Sequence, residues 1–314
     1  MALESGARGR HELVLSVDLD EWFHSRRWTE GVQTRAVPDT TALFRRLYGA
    51  DAPLGDLIPP VRALLALFDR HHVKCTFFVL GEVAQWYPGL IREIAGHGHE
   101  IGCHGLHHVD MTVLGPEVFA AQLDRAVEVL TTTSGQRPVG YRAPNLVYES
   151  WATRILEQQG FLYDTTVCVS RPIGGKYRNW ANAPSHPYHP SYDDIARPGA
   201  ARLVELPLPS FPIIKISAGS GILTRVIGFH WTMIALRHHI RNGATGYYFH
   251  PWEVAGVPTA AGNSWKHALF YRRTGQWMLD AVDRILTHFQ GRIVTARAAA
   301  DRALAAGRSR PAPS

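Results

Sequence analysis

From Leu13 onward, short apolar runs alternate with amphipathic stretches. Leu13-Val14-Leu15-Ser16-Val17 has the apolar density of a strand buried on both faces. Pro59-Pro60 opens a segment with helical periodicity, Val61 to His71, consistent with proline's place in a first helical turn. Cys75 to Leu80 then reads as a second strand, Val83 to Ala95 as a helix, and Glu100 to Cys103 as a third strand. The pattern continues with a helix over Pro116 to Thr131, a strand at Val139 to Tyr141, a helix over Ser150 to Gln159 and a strand at Phe161 to Tyr163. After an irregular stretch, further strands are predicted at Arg202 to Pro207, Gly246 to Phe249 and Arg292 to Thr295, with helices over Leu223 to Ile240 and Lys266 to Phe289.

Strands that alternate with helices call for a parallel sheet joined by right-handed crossovers. The expected fold class is α/β: a single distorted (β/α) barrel of about seven parallel strands, with long loops over its C-terminal face. The expected organisation is a polar extension over residues 1–12, the barrel over 13–296, and an Ala/Arg/Pro-rich tail over 297–314 that ends in a frayed Pro-Ala-Pro-Ser. Trp22 to Pro59 and Val169 to Arg202 are long irregular segments, and so candidate walls of a binding site.

Apolar residues make up 46% of the 314 and charged residues 19%, enough to build a core and to exclude a disordered chain. No run reaches the ~18–20 apolar residues of a membrane span. The polar start lacks a signal peptide's apolar run, so a cytoplasmic protein is expected, with a peripheral position at a membrane left open. Cys75, Cys103 and Cys168 are too few and too scattered for a disulfide framework or a thiolate zinc site; three buried thiols are expected. The net charge of +6 comes mostly from scattered arginines, with only four of the 33 basic residues being lysine. No aromatic-basic motif or helix-turn-helix pattern accompanies it, so no nucleic acid is expected, whereas an anionic ligand fits.

Polar residues collect where the expected strands end, which in α/β barrels is where sites are built. The first strand runs into Asp18-Leu19-Asp20-Glu21, whose period-two geometry puts Asp18 and Asp20 on one side. The third ends in Cys103-His104-Gly105-Leu106-His107-His108, the fourth in Tyr141-Arg142-Ala143-Pro144, and a late one in Tyr247-Tyr248-Phe249-His250-Pro251-Trp252. His104 and His108, four apart, can bring two imidazoles to one point. With one carboxylate they would form a mixed N/O site with a position left open for water, as a catalytic Zn²⁺ site requires. His107 is expected to point away, and His71, His72, His97 and His99 to be surface or capping residues.

Together these residues resemble the polysaccharide deacetylases of carbohydrate esterase family four, the NodB-homology fold, and in particular a subgroup associated with exopolysaccharide export. The resemblance covers roughly Leu13 to Thr166 and resumes at His250. It implies Asp18 as general base, Asp20, His104 and His108 as ligands of one divalent ion (Zn²⁺ first, with Co²⁺, Ni²⁺ or Mn²⁺ as alternatives), Arg142 as partner of the base, and His250 as general acid tuned by Asp164 or, as second choice, Glu205. Trp22, Tyr141, Pro144, Asn145 and Trp252 are the expected substrate-binding residues, and Trp180 is a further aromatic that could stack on a sugar. The chain departs from the family pattern in having Leu19 between its two acids, which makes Glu21 a rival ligand. It also has Gly105 for a hydroxyl residue, Asn145 for an aromatic, and Tyr163-Asp164 for an Asp-Trp pair.

The expected activity is hydrolysis of an N-acetyl group from an amino sugar, either in a polysaccharide or linked to a lipid or nucleotide. Hydrolysis of another C–N bond, as in a sugar deformylase or an amidohydrolase, and acetyl-ester hydrolysis use the same residues. A non-catalytic sugar-binding barrel is the alternative from a different class. The oligomeric state is left open.

Overall fold

The computed structural model describes residues 11–25, 39–172, 180–256 and 265–308. Most of the N-terminal extension and the closing Pro-Ala-Pro-Ser lie outside them. Every strand pairing in the single sheet is parallel. The strands are β1 (Leu13–Leu19), β2 (Thr76–Val79), β3 (Glu100–Cys103), β4 (Gly140–Tyr141), β5 (Tyr163–Asp164), β6 (Val204–Glu205), β7 (Thr245–Phe249) and β8 (Ile293–Val294). Their order is β6-β5-β4-β3-β2-β1-β7, and β8 pairs with β1 at Leu13 and Val14. The path is the distorted barrel expected from the alternating pattern. Between its two ends, β6 and β7, runs the segment 207–220, tied to the β7 side by Tyr248 N–H donating to the Gly219 carbonyl at 3.0 Å.

β1 is buried along its whole length because it has neighbours on both edges and helices outside. β4 illustrates a close approach that only glycine permits. A Cβ on Gly140 would lie 1.8 Å from the Tyr163 ring, whose hydroxyl donates to Glu100 Oε1 at 2.7 Å.

The helices are α1 (Thr40–Tyr48), α2 (Ile58–Arg70), α3 (Gly81–Trp86), α4 (Pro88–Gly96), α5 (Met111–Ser134), α6 (Trp151–Gln158), α7 (Gly221–Val226), α8 (Phe229–His239), α9 (Trp265–Phe270), α10 (Gln276–His288) and α11 (Ala296–Arg308). Two expected helices are each split. Tyr87, at φ −126° and ψ 53°, separates α3 from α4 just before Pro88, which has no N–H to give. Gly228, at φ 144°, separates α7 from α8.

The expected tail departs most from its sequence reading. Ala296, Ala299 and Ala300 of α11 are buried against Val14, Phe78, Tyr163 and Val204. The helix start is pinned by Ala296 N–H to Thr76 Oγ1 (2.8 Å) and Arg297 N–H to Glu100 Oε2 (3.0 Å). Alanine's small side chain permits this close seat for a segment whose composition was read as a tail outside the barrel.

Among the expected surface histidines, His99 is instead buried against Phe68 and Phe77, accepting from Cys75 N–H at 3.2 Å. His71 and His97 pair with Asp283 and Asp69 near the surface. The three cysteines are free and buried.

Candidate active site

The ends of β1, β3, β4 and β7 converge on a cavity open to solvent, whose walls include Asp18, Asp20, His104, His108, Asn145 and His250. Asp18 is the penultimate residue of β1. Asp20 N–H bonds the Asp18 carbonyl at 3.0 Å, a tight reversal that keeps both carboxylates on the cavity side across the intervening Leu19.

Arg142 is wholly buried and reaches across the barrel interior from the end of β4. One of its terminal nitrogens donates to Asp18 Oδ1 at 2.5 Å and to Ser16 Oγ at 2.9 Å, while its other N–H groups go to Thr165. The guanidinium lies over the Phe78 and Tyr248 rings, 4.4 and 4.9 Å from their centroids. Several bonds thus fix the planar fork, and one of them aims Asp18.

His104 Nδ1 donates to the Arg142 carbonyl at 2.8 Å, which makes Nε2 its available nitrogen. Burial lowers its pKa to about 4, so the ring is neutral. His108 Nε2 stands 3.7 Å from Asp20 Oδ2. Two donors sharing a tetrahedral cation at bonds near 2.0–2.1 Å sit about 3.3 Å apart, close to that separation. As they stand, the described side chains include no group of three His, Cys, Asp or Glu able to hold a metal ion. The donor types nevertheless fit one: a carboxylate and two imidazoles, one of them neutral with its tautomer already set.

Asp20 is buried, which raises its pKa to about 6 against the lowering pull of His250 and His24. Its Oδ1 accepts from Trp252 Nε1 at 3.2 Å. The rival acid, Glu21, accepts instead from the Tyr87 hydroxyl, and its side chain is absent from the cavity wall.

His250 follows β7. Its Nδ1 bonds Glu253 Oε1 at 2.8 Å, and Glu253 in turn accepts from Arg225 Nε at 2.6 Å, with the carboxylate and guanidinium fully buried. Burial opposes charge on His250, but Asp20 and Glu253 outweigh it and raise its pKa to about 9. Gly221 leaves room for this arrangement, since a Cβ there would meet Glu253 Oε1 at 2.6 Å.

Asp164, the residue expected to tune His250, is placed elsewhere. It accepts from Thr166 N–H (2.8 Å) and Thr166 Oγ1 (3.0 Å) and pairs with Glu205 in the interior. Three expected sugar-stacking aromatics are core residues. Trp22 is buried with its indole N–H on Tyr48 and Asp56, Tyr141 packs edge-on against Phe119 and Phe161, and Trp180 is buried in the main core. Trp252 does line the cavity, stacked on His250 with centroids 5.1 Å apart, while Asn145 lines it at φ 55° with its amide donated to Asp110. Pro144 lines an adjoining smaller pocket together with Tyr141 and His107.

Sequence reasoning passed over several participants. Glu253 sits three residues after His250, the spacing of a capping box, and forms one. Glu82, just past the end of β2, accepts from His107 Nδ1 (2.8 Å) and His108 N–H (3.3 Å) and lies 3.4 Å from His24 Nε2. Burial would raise the Glu82 pKa, but its histidine partners hold it at about 2. His24 stacks on His108 with centroids 5.4 Å apart. Strand-end position was the available signal for Glu82. Tyr248, a further cavity wall, lies in the late strand end that carries His250, whereas Ile222 and Phe270 had no such signal.

Residues 59–163 match the family model for polysaccharide deacetylase. A peptidoglycan deacetylase-like protein of Gibberella zeae is 36% identical over 109 residues, which is 34% of this chain and 32% of that protein. A peptidoglycan-N-acetylglucosamine deacetylase of Bacillus cereus is 27% identical over 117 residues, 32% of this chain and 42% of that protein. The aligned region thus spans less than half of either relative. In structure, the chain is similar to Puue allantoinase, with a TM-score of 0.57 at 17% identity, covering 99% of this chain and 94% of that one. Residues 59–163 are thus similar to the polysaccharide deacetylase family, and the fold of the chain as a whole is similar to that of the allantoinase.

Proposed function

We propose that the protein is a metal-dependent hydrolase that removes the N-acetyl group from an amino sugar in a polysaccharide or lipid-linked glycan. One observation carries the reading. Two acids from β1, two histidines after β3 and a third after β7 face a single cavity, with Arg142 holding one of the acids. The relatives whose names specify peptidoglycan deacetylases make an N-acetylated glycan the natural substrate class.

Asp20, His104 and His108 would hold the ion. When bound there, a divalent cation such as Zn²⁺ polarises the acyl carbonyl and lowers the pKa of water from about 15.7 toward ~7. Asp18, aimed by Arg142, takes the proton from the attacking water as its oxygen bonds to the carbonyl carbon. His250, with Nδ1–H committed to Glu253, presents Nε2–H to the sugar nitrogen. As the C–N bond breaks, that proton passes to the leaving amine and acetate remains. Trp252 serves as a brace here, its ring against His250 and its N–H on Asp20.

The test is acetate release from N-acetylated oligosaccharides by protein reconstituted with Zn²⁺, alongside Asp18→Asn. Turnover by the reconstituted protein that is lost in the variant supports the reading. An Asp18→Asn protein that retains full turnover places the base elsewhere.

A further inference from the structure

Between Leu206 and Trp252 the chain holds no Asp or Glu, while it carries Lys215, Arg225, Arg237 and Arg241. Arg225 is neutralised internally by Glu253. The other three lie at least partly at the surface. Within this acid-free stretch, Ser210 and Ser217 form an antiparallel bridge that closes a hairpin, with Phe211 N–H on the Ile216 carbonyl at 2.7 Å. At its tip Ile213 is 83% and Ile214 44% exposed.

Hairpin tips ordinarily take Gly, Asn, Asp or Ser. Two β-branched apolar side chains standing in water, followed by Lys215 at φ 54°, meet no local structural need. The exposed Arg171 adds a second cation, its N–H bonded to the Lys215 carbonyl at 2.7 Å. Phe211 stacks on Trp231 with centroids 4.0 Å apart, fixing the hairpin to α8. One helical turn beyond Trp231, α8 exposes Ile234 at 48%, and Arg237 follows a turn later. The hairpin leads into Ser220, which bridges Tyr248, a wall of the catalytic cavity.

We propose that the hairpin tip and the outward face of α8 form a docking surface for an anionic phospholipid membrane. Ile213 and Ile214 enter the acyl boundary while Lys215, Arg171 and Arg237 meet the headgroups. The charge pattern selects this occupant, because apolar side chains flanked by Lys215, Arg171 and Arg237 complement a negatively charged interface. Docked in this way, the protein holds its cavity beside substrates anchored at the bilayer. That consequence rests on the deacetylase reading, whereas the docking itself is read without turnover.

The experiment is cosedimentation of the full chain with vesicles of phosphatidylglycerol and phosphatidylcholine, with pure phosphatidylcholine vesicles as control. Binding to the anionic vesicles, weakened by added salt, is expected. Ile213→Ser with Ile214→Ser is expected to weaken it about 100-fold, roughly tenfold for each side chain withdrawn from the acyl region. Lys215→Glu should weaken it several-fold and flatten its salt dependence. Unchanged melting temperatures would show that the variants fold. Failure of the wild type to bind anionic vesicles, or equal binding by the double variant, overturns the proposal. So does a concentration-dependent dimer that the double variant abolishes while vesicles are ignored, an outcome that assigns the surface to a second copy of this chain.

Discussion

Glu253→Gln tests whether one buried carboxylate both anchors the fold and aims the proton donor. Glu253 is fully buried between Arg225 and His250, with bonds of 2.6 and 2.8 Å. The amide keeps the shape but removes the carboxylate that pairs with Arg225. Arg225 retains the Phe270 and Arg272 carbonyls, at 2.6 and 2.9 Å, which satisfy one terminal nitrogen but cannot neutralise it. Breaking such a pair costs about 3–5 kcal/mol. The lost anchor also frees the imidazole, and loss of a positioned proton donor is worth roughly 10²–10⁴ in kcat. Adding Arg225→Met to Glu253→Leu separates the two effects. An apolar pair of similar volume restores stability to within about 1–2 kcal/mol of wild type, while kcat stays low because His250 still lacks its anchor. Urea unfolding and acetate-release kinetics provide the two readouts. If the double variant recovers kcat along with stability, or Glu253→Gln leaves both unchanged, the chain Arg225–Glu253–His250 does not act as described.

Other substitutions separate the remaining roles. His104→Ala with His108→Ala is expected to abolish binding of one equivalent of Zn²⁺, read by metal analysis after dialysis; unchanged content would refute the site. Asp18→Asn should retain the metal, lose about 10²–10⁴ in kcat and cost about 3 kcal/mol, because buried Arg142 loses its carboxylate. Asp164→Asn should alter stability and leave kcat near wild type, since its partners are Thr166 and Glu205; a large kcat loss would return it to the catalytic group. Burial lowers the His99 pKa to about 4, so the fold keeps it neutral while the unfolded chain protonates it near 6.5. Its contribution is therefore complete above pH 6.5 and is lost as pH falls toward 4, by at most about 1.4 kcal/mol per pH unit. Stability of His99→Asn should fall less than that of wild type between pH 6.5 and 5, and parallel curves would refute the assignment.

The parts of the site legible in the sequence are those fixed by local geometry. Strand periodicity put Asp18 and Asp20 on one side, a spacing of four joined His104 to His108, and strand ends marked Arg142 and His250. What remained hidden depends on which distant element arrives beside a residue. Asp164 and Glu253 are both acids near strand ends, and only the course of β7 into its short 3-10 turn decides that Glu253 meets His250. Trp22, Tyr141 and Trp252 are alike as aromatic residue types, yet core packing claims the first two. Glu82 was masked because an acid in a first helical turn is already accounted for by the helix dipole. The Ala-rich C-terminal segment has little side-chain bulk to announce burial, so its seat beneath the sheet was not visible.

The central position of β1 has a consequence for biosynthesis. This strand, Leu13–Leu19, takes its neighbours β7 and β8 from Thr245–Phe249 and Ile293–Val294, segments made long after it. Contacts between such remote segments close late, after a large loss of chain freedom. His104, His108 and Arg142 precede β7 in the chain, whereas His250 and its anchor Glu253 can join Asp18 only once residue 253 has emerged. Assembly of the proposed site therefore waits until β7 has been synthesised.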